Sequence, residues 1–162
     1  MVCRQGQLDE SLLPDNIILK TDIPMNEALH VMNNAYVNVV PILDASTGAG
    51  HMTIVSSMHM GQLQIISSLE TLSDYFIDRE HGLFVEAGNV GDLKNAIELL
   101  FNDEELRNNM SIKVVNFSAK WLSEDYAKES FLSYLCAIKH NNPLPLEPAD
   151  WNLILKELNI DT

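Results

Sequence analysis

The sequence predicts an α/β fold, a parallel sheet carrying flanking helices, and three observations predict it. Short apolar runs bounded by turn residues recur at 1–3, 16–20, 36–40, 63–66 and 82–85, the pattern of strands buried within a sheet. Helical periodicity fills intervals between and after them, so strand and helix alternate at lengths that require crossover connections. A glycine turn, Gly48-Ala49-Gly50, joins a strand directly to a helix, as a β-turn-α-β unit does.

Residues 1–3 read as the stub of a strand, followed by the polar turn Arg4-Gln5-Gly6-Gln7. Residues 9–13 hold one or two helical turns before Pro14 stops them, because proline lacks the amide donor. The run NIILK, 16–20, is the next strand. Pro24 suits a first helical position, and Ala28, Leu29, Met32 and Ala35 share one face, so 24–34 is a helix. YVNVV, 36–40, is a strand ended by Pro41. In the helix after the glycine turn, Ile54, Val55, Met58 and Met52 are placed toward the sheet. Gly61 fits the left-handed residue after a helix, and 63–66 form the next strand.

A short helix is expected over 69–76 and a short strand over Gly82, Leu83, Phe84 and Val85. From Val90 the pattern is helical: Leu93, Ala96, Ile97 and Leu100 share a face, a second helix begins with 103–109 after an Asn-Asp break, and Ser123 caps a third. Glu124 and Asp125 then sit in a first turn, where the helix dipole favours them. Residues 141–148, NNPLPLEP, form a proline-punctuated connector, and 150–158 a terminal helix packing Trp151, Leu155 and Leu158.

Composition narrows the function classes. With 162 residues and 46% hydrophobic content the chain can bury one core. A net charge of −13 with only 10 lysines and arginines leaves no basic track for a nucleic-acid backbone or an anionic membrane. No run approaches the roughly 18 apolar residues of a membrane span, and no secretory leader is evident, so a cytoplasmic location is expected. Cys3 and Cys136 sit in apolar contexts that predict small buried side chains in a reducing compartment.

Chemistry concentrates between Asp44 and Ile66. The turn points free backbone N–H groups and the positive end of a helix dipole at one spot, which favours a phosphate. His51 stands directly at that turn as a donor for a phosphate oxygen. His51, Met52, Met58, His59 and Met60 include soft metal ligands, but methionine at helical spacing reads as core filler, and no metal is expected. Asp44 reads as a turn residue rather than a phosphoacceptor, since neither an acidic pair nor a lysine accompanies it. Glu70, Asp74, Asp78, Glu80 and Glu86 lie around the ligand edge and read as solvated charge.

Residues 58–110 carry a wider pattern: Met58-x-x-Gly61 before a strand, Asp78, Gly82-Leu83-x-Val85, Gly88-Asn89, Leu93, Ala96-Ile97 and Asp103-x-Glu105-Leu106-Arg107. Trp121-x-x-Glu124 extends it downstream, and Cys3-Arg4-Gln5-Gly6-Gln7-Leu8 and Leu13-Pro14-Asp15-Asn16-Ile17 extend it upstream. The order and spacing resemble the carboxyl-terminal, nucleotide-sugar-binding domain of GT-B glycosyltransferases of group 1 (family 4). That resemblance covers nearly all of 1–140 and implies a Rossmann-like donor-binding domain lacking its first elements, with 141–162 as a helical tail.

The resemblance implies transfer of a hexose from a nucleoside-diphosphate sugar to a saccharide or lipid-linked acceptor, without a cofactor or metal. It assigns Gly48, Ala49, Gly50, His51, Met52 and Thr53 to the donor diphosphate, and Ser46, Thr47, Ser56 and Asp74 to the donor sugar or ribose. It assigns no catalytic residue. The two family glutamates that contact the donor fall on Gly48 and Ser56, so both carboxylates are missing. Asp74 stands where a family Pro-Glu pair ends. The family's enzymes also carry an acceptor domain, so these residues hold half a cleft and the chain reads as truncated or completed by a partner chain. The alternative is a non-catalytic, glycosyltransferase-like module or subunit, marked by an exposed apolar face near 1–13 or 141–162.

Overall fold

The computed structural model describes residues 1–43, 50–72 and 76–143. Strands β1 (Val2–Cys3) and β2 (Lys20–Thr21) pair in parallel, Val2 opposite Lys20. Strands β3 (Asn38–Val40), β4 (Gln64–Ser67) and β5 (Gly82–Val85) form a second parallel sheet in that order. Helices α1 (Met25–Asn33), α2 (His51–His59), α3 (Val90–Asn102), α4 (Glu104–Trp121) and α5 (Glu124–Lys139) complete the described elements. The alternation of parallel strands and helices is the predicted α/β class, but the strands lie in two sheets rather than one.

The larger sheet is buried on both faces because successive side chains of a strand point oppositely. Ile66 joins Ile42, Ile54, Met58, Val114 and Phe117 on one face. Its neighbour Ile65 joins Leu83, Val85, Ala96, Leu100 and Met110 on the other. Each such side chain contributes roughly 1.5–3 kcal/mol when fully buried. Helix α4 supplies both clusters, Met110 to one and Val114 with Phe117 to the other.

Helix α4 also fixes the end of α2. The Ser111 hydroxyl donates to the Gly61 carbonyl at 2.7 Å, and the Ser118 hydroxyl to the Met58 carbonyl at 3.2 Å. Gly61 adopts φ 71°, and a Cβ there would lie 2.7 Å from Val115 Cγ2, so glycine is required for both reasons. Asn89, Asp103 and Ser123 cap α3, α4 and α5 by accepting the amides of Asp92, Leu106 and Tyr126. Among the described residues no helix is long and apolar enough to cross a membrane.

Several expectations are corrected. Residues 16–19 are irregular, because β2 pairs only along the two residues of β1. Pro24 is the N-cap of α1, with ψ 155°, not its first helical residue. β3 starts at Asn38; Tyr36 lies outside it, edge-on to Phe101 at 5.8 Å with Arg107 over its ring. Met52 is 75% exposed and does not face the sheet. Within the span 69–76, expected as a helix, Glu70–Leu72 is a 3₁₀ turn, and 73–75 lie outside the described residues. Cys136 is exposed and Cys3 half-buried, so neither is a core side chain. The terminal helix over 150–158 and most of the 141–148 connector lie outside the described residues.

Candidate functional site

The start of α2 is set by the strand before it. Past β3, the Ile42 amide donates to the Ser67 hydroxyl at 2.9 Å, which ties the outgoing chain to the carboxyl end of β4. Gly50 is the N-cap of α2 at φ 82°, ψ −15°, a left-handed conformation that L side chains rarely adopt. A Cβ on Gly50 would lie 2.7 Å from Ile42 Cδ1 and 3.2 Å from Val40 Cγ1, so the backbone here packs directly on β3 and the residues after it.

Gly50 supplies no side-chain cap, and the first turn of α2 contains no acidic residue. The first intrahelical bond runs from the Ile54 amide to the Gly50 carbonyl at 2.9 Å. The amides of the preceding turn therefore point along the axis as donors at the positive end of the helix dipole. With no acidic residue in its first turn, this end of α2 favours an external anion.

A cavity of about 580 Å³ opens beside that turn, within the size range of small-molecule sites. Met52, Thr53 and Ser56 of α2 line it together with Arg4 and Gln7, from the turn after β1, and Asp22, just past β2. Arg4 is the only basic side chain lining it among the described residues. Val2, Ala28, Leu29 and Met32 add apolar lining. The turn is held from both sides: the Arg4 amide donates to Gln7 Oε1 at 2.9 Å, and the Gln5 amide to Asp22 Oδ2 at 3.3 Å. The mouth thus collects residues that follow the carboxyl ends of three strands, the usual ligand end of a parallel sheet. A second cavity, about 260 Å³, lies against Val39, Ile65 and Val85; among the described residues its one charged lining residue is Glu86, which disfavours an anion.

Of the sequence-predicted residues, Met52, Thr53 and Ser56 meet at the larger cavity. Gly50 and His51 shape the helix start without lining it. Gly48, Ala49, Ser46, Thr47 and Asp74 lie outside the described residues, as does Asp44. Of the acidic residues expected as solvated charge, Asp78 and Glu86 are exposed and Glu80 is half-buried, and each of the three also has a partner. Asp78 accepts the Phe84 amide at 2.8 Å, Glu80 pairs with Lys113, and Glu86 accepts from Asn89 Nδ2 at 2.9 Å. His59 contacts the Leu122 carbonyl at 3.2 Å, and the described residues hold no group of three or more metal-ligating His, Cys, Asp or Glu. Sequence reasoning missed Arg4, Gln7 and Asp22 as site residues; the glycine turn at 4–7 was the available signal for the first two, and Asp22 arrives only through the tertiary fold.

A profile of the family described as glycosyl transferases group 1 matches residues 3–115, well over half the chain. The chain belongs to the group 1 glycosyltransferases. The likeness reaches the fold of solved structures as well. The crystal structure of TarM superposes with a TM-score of 0.58 at 18% identity, covering 72% of this glycosyltransferase chain and 23% of TarM. The shared architecture, parallel sheets flanked by helices, is the GT-B glycosyltransferase fold. The chain spans about a quarter of the length of TarM. No curated protein sequence matches it.

Proposed function

We propose that this glycosyltransferase domain is the donor-binding half of an enzyme that transfers a hexose from a nucleoside-diphosphate sugar to a saccharide or lipid-linked acceptor. The observation that carries the reading is the start of α2 on the left-handed Gly50, opening with Thr53 and Ser56 into the cavity that Arg4 also lines. The amides of Met52 and Thr53 and the Thr53 hydroxyl hold the diphosphate, with Arg4 facing it as the cation. Gly48, Ala49 and His51 extend the same cradle, while Ser46, Thr47, Ser56 and Asp74 serve the sugar and ribose end. As the glycosidic bond breaks, negative charge grows on the leaving diphosphate, and preorganised N–H groups and Arg4 offset it more strongly in the transition state than in the ground state. Neither a metal nor a cofactor enters this scheme.

Thermal unfolding with UDP, GDP, ADP and their sugar conjugates tests it. A nucleotide at ~100 times its dissociation constant adds about 2.7 kcal/mol, a rise of several degrees for a chain this size. The reading requires a base-selective rise that Arg4→Ala weakens and Thr53→Asp removes by setting a carboxylate against the phosphates. A folded chain that responds to no nucleotide refutes it.

A second reading, a non-catalytic module that works with a partner chain, is favoured by two observations. Ser56 lines the cavity where the family has a ribose-contacting glutamate, the sugar-contacting one falling on Gly48, and Met1, Val2, Leu8 and Leu12 are exposed at 51, 42, 42 and 79%. It requires that a nucleotide and its sugar conjugate raise the unfolding temperature equally, because no carboxylate grips the hexose.

A further inference from the structure

The larger cavity is lined by a cation and a carboxylate that do not pair with each other. Arg4 and Asp22 both line it, both are exposed to an arriving ligand, and neither forms an ion pair among the described residues. Opposite charges left unpaired in one cavity suit a ligand that carries both an anionic group and hydrogen-bond donors.

The backbone fixes where the carboxylate stands. Asp22 adopts φ 50°, a left-handed conformation uncommon for a residue with a side chain and one that aspartate tolerates better than most. Its amide donates to the Cys3 carbonyl at 3.1 Å, and its Oδ2 accepts the Gln5 amide at 3.3 Å. The carboxylate is thereby tied to the turn that carries Arg4, while Oδ1 has no partner among the described residues.

The lining divides in two. Ile23 and, from α1, Met25, Leu29 and Met32 are apolar, whereas α2 contributes Thr53 and Ser56. A phosphate is repelled by a carboxylate and held by a helix start, so the diphosphate belongs at α2. The planar base then lies against the apolar lining with its edge toward Asp22, which adjoins Ile23.

A carboxylate only accepts hydrogen bonds. Among the common bases, guanine presents adjacent donors, N1–H and the 2-amino group, on its pairing edge. Adenine and cytosine set a ring-nitrogen acceptor beside their amino group, and uracil flanks its N–H with carbonyl oxygens. Each of these turns lone pairs toward the carboxylate, so repulsion excludes them as attraction selects guanine.

We infer that Asp22 reads the base of the donor and that the nucleotide is guanosine diphosphate. The carboxylate accepts from N1–H and the 2-amino group, while Arg4 and the start of α2 hold the diphosphate. The inference rests on the donor-site reading above and adds the residue that sets its base.

Calorimetric titration of the full 162-residue chain with guanosine, inosine, xanthosine, adenosine and uridine diphosphates tests it. Inosine diphosphate lacks the 2-amino group, and xanthosine diphosphate has a carbonyl in its place. The expected result is that guanosine diphosphate binds about tenfold or more tighter than the inosine, adenosine and uridine compounds, the usual effect of losing a hydrogen bond to a charged group. Asp22→Asn retains a side chain that tolerates the left-handed backbone and accepts the Gln5 amide. It should weaken guanosine diphosphate about tenfold and tighten xanthosine diphosphate, whose carbonyl the new amide meets. A merely structural role for Asp22 would weaken every nucleotide alike. Equal binding of the guanosine and inosine compounds, tightest binding of another base, or uniform weakening in Asp22→Asn overturns the inference and leaves the donor site standing. Binding of no nucleotide by the folded chain overturns both.

Discussion

Replacing Gly50 by alanine isolates the contact that sets the start of α2. Two terms add. A left-handed alanine is about 1–2 kcal/mol less favourable than the right-handed form. The new Cβ also lies 2.7 Å from Ile42 Cδ1, inside ordinary van der Waals contact, and Ile42 is only 8% exposed with its amide tied to Ser67. Moving that methyl requires an off-rotamer side chain, about 0.5–1.5 kcal/mol. The predicted loss is about 2–3 kcal/mol, which for a chain of this size lowers the unfolding midpoint by roughly 5–10 °C. Gly88 supplies the control: its φ is +81°, yet an added Cβ meets nothing within 4 Å. Gly88→Ala should therefore show the backbone term alone, about 1–2 kcal/mol. Urea unfolding of both variants gives the difference. Equal losses at the two positions, or no loss at Gly50, refute the claim that α2 starts in direct contact with β3 and Ile42.

Ser67→Ala leaves the buried Ile42 amide without its acceptor and should destabilise the domain by about 1–3 kcal/mol in urea unfolding, whereas Ser67→Thr retains the bond. Gln64 is fully buried, donating through Nε2 to the Ile54 carbonyl at 3.1 Å, while its Oε1 has no partner among the described residues. Gln64→Met should thus change stability by less than about 1 kcal/mol or raise it, and a loss above 2 kcal/mol would show that the amide is satisfied. The Ser11 hydroxyl and amide hold the Asp9 carboxyl below its ordinary value of 3.8. Because the folded value is depressed, the turn at Glu10–Leu12 is supported above that ordinary value and loses the support as pH falls through the folded one. A carbon-detected titration of Asp9 should show a midpoint that rises in Ser11→Ala.

How much of this was legible in the sequence depends on where the controlling contacts lie. The Ser123 cap depends on a residue three positions on and is where the sequence puts it, while the caps at Asn89 and Asp103 follow the same local rule without having been assigned. Gly61 was legible because the left-handed end of a helix selects glycine locally. The strands β3 to β5 were legible as apolar runs, but their ends follow partners: β3 is shorter than YVNVV because Tyr36 stacks on Phe101 of α3. The division into two sheets has no sequence signal, since an open edge is a property of neighbours. Met52 reads as core by periodicity and lies instead at the cavity mouth, where the helix turns its first residues to solvent. Arg4 and Asp22 come from different turns and meet α2 only through the tertiary fold, so no spacing along the chain joins them.

The central claim is that α2 offers its first amides to a nucleotide diphosphate, and an amide-resolved NMR titration of the chain with UDP, GDP and ADP tests it most directly. The account predicts that one of these nucleotides saturably shifts the amides of Met52 and Thr53 and the side-chain signals of Arg4, with the phosphorus resonances moving in step. Shifts that saturate at other residues while Met52 and Thr53 stay unmoved, or no shifts at several millimolar of any nucleotide, would contradict it.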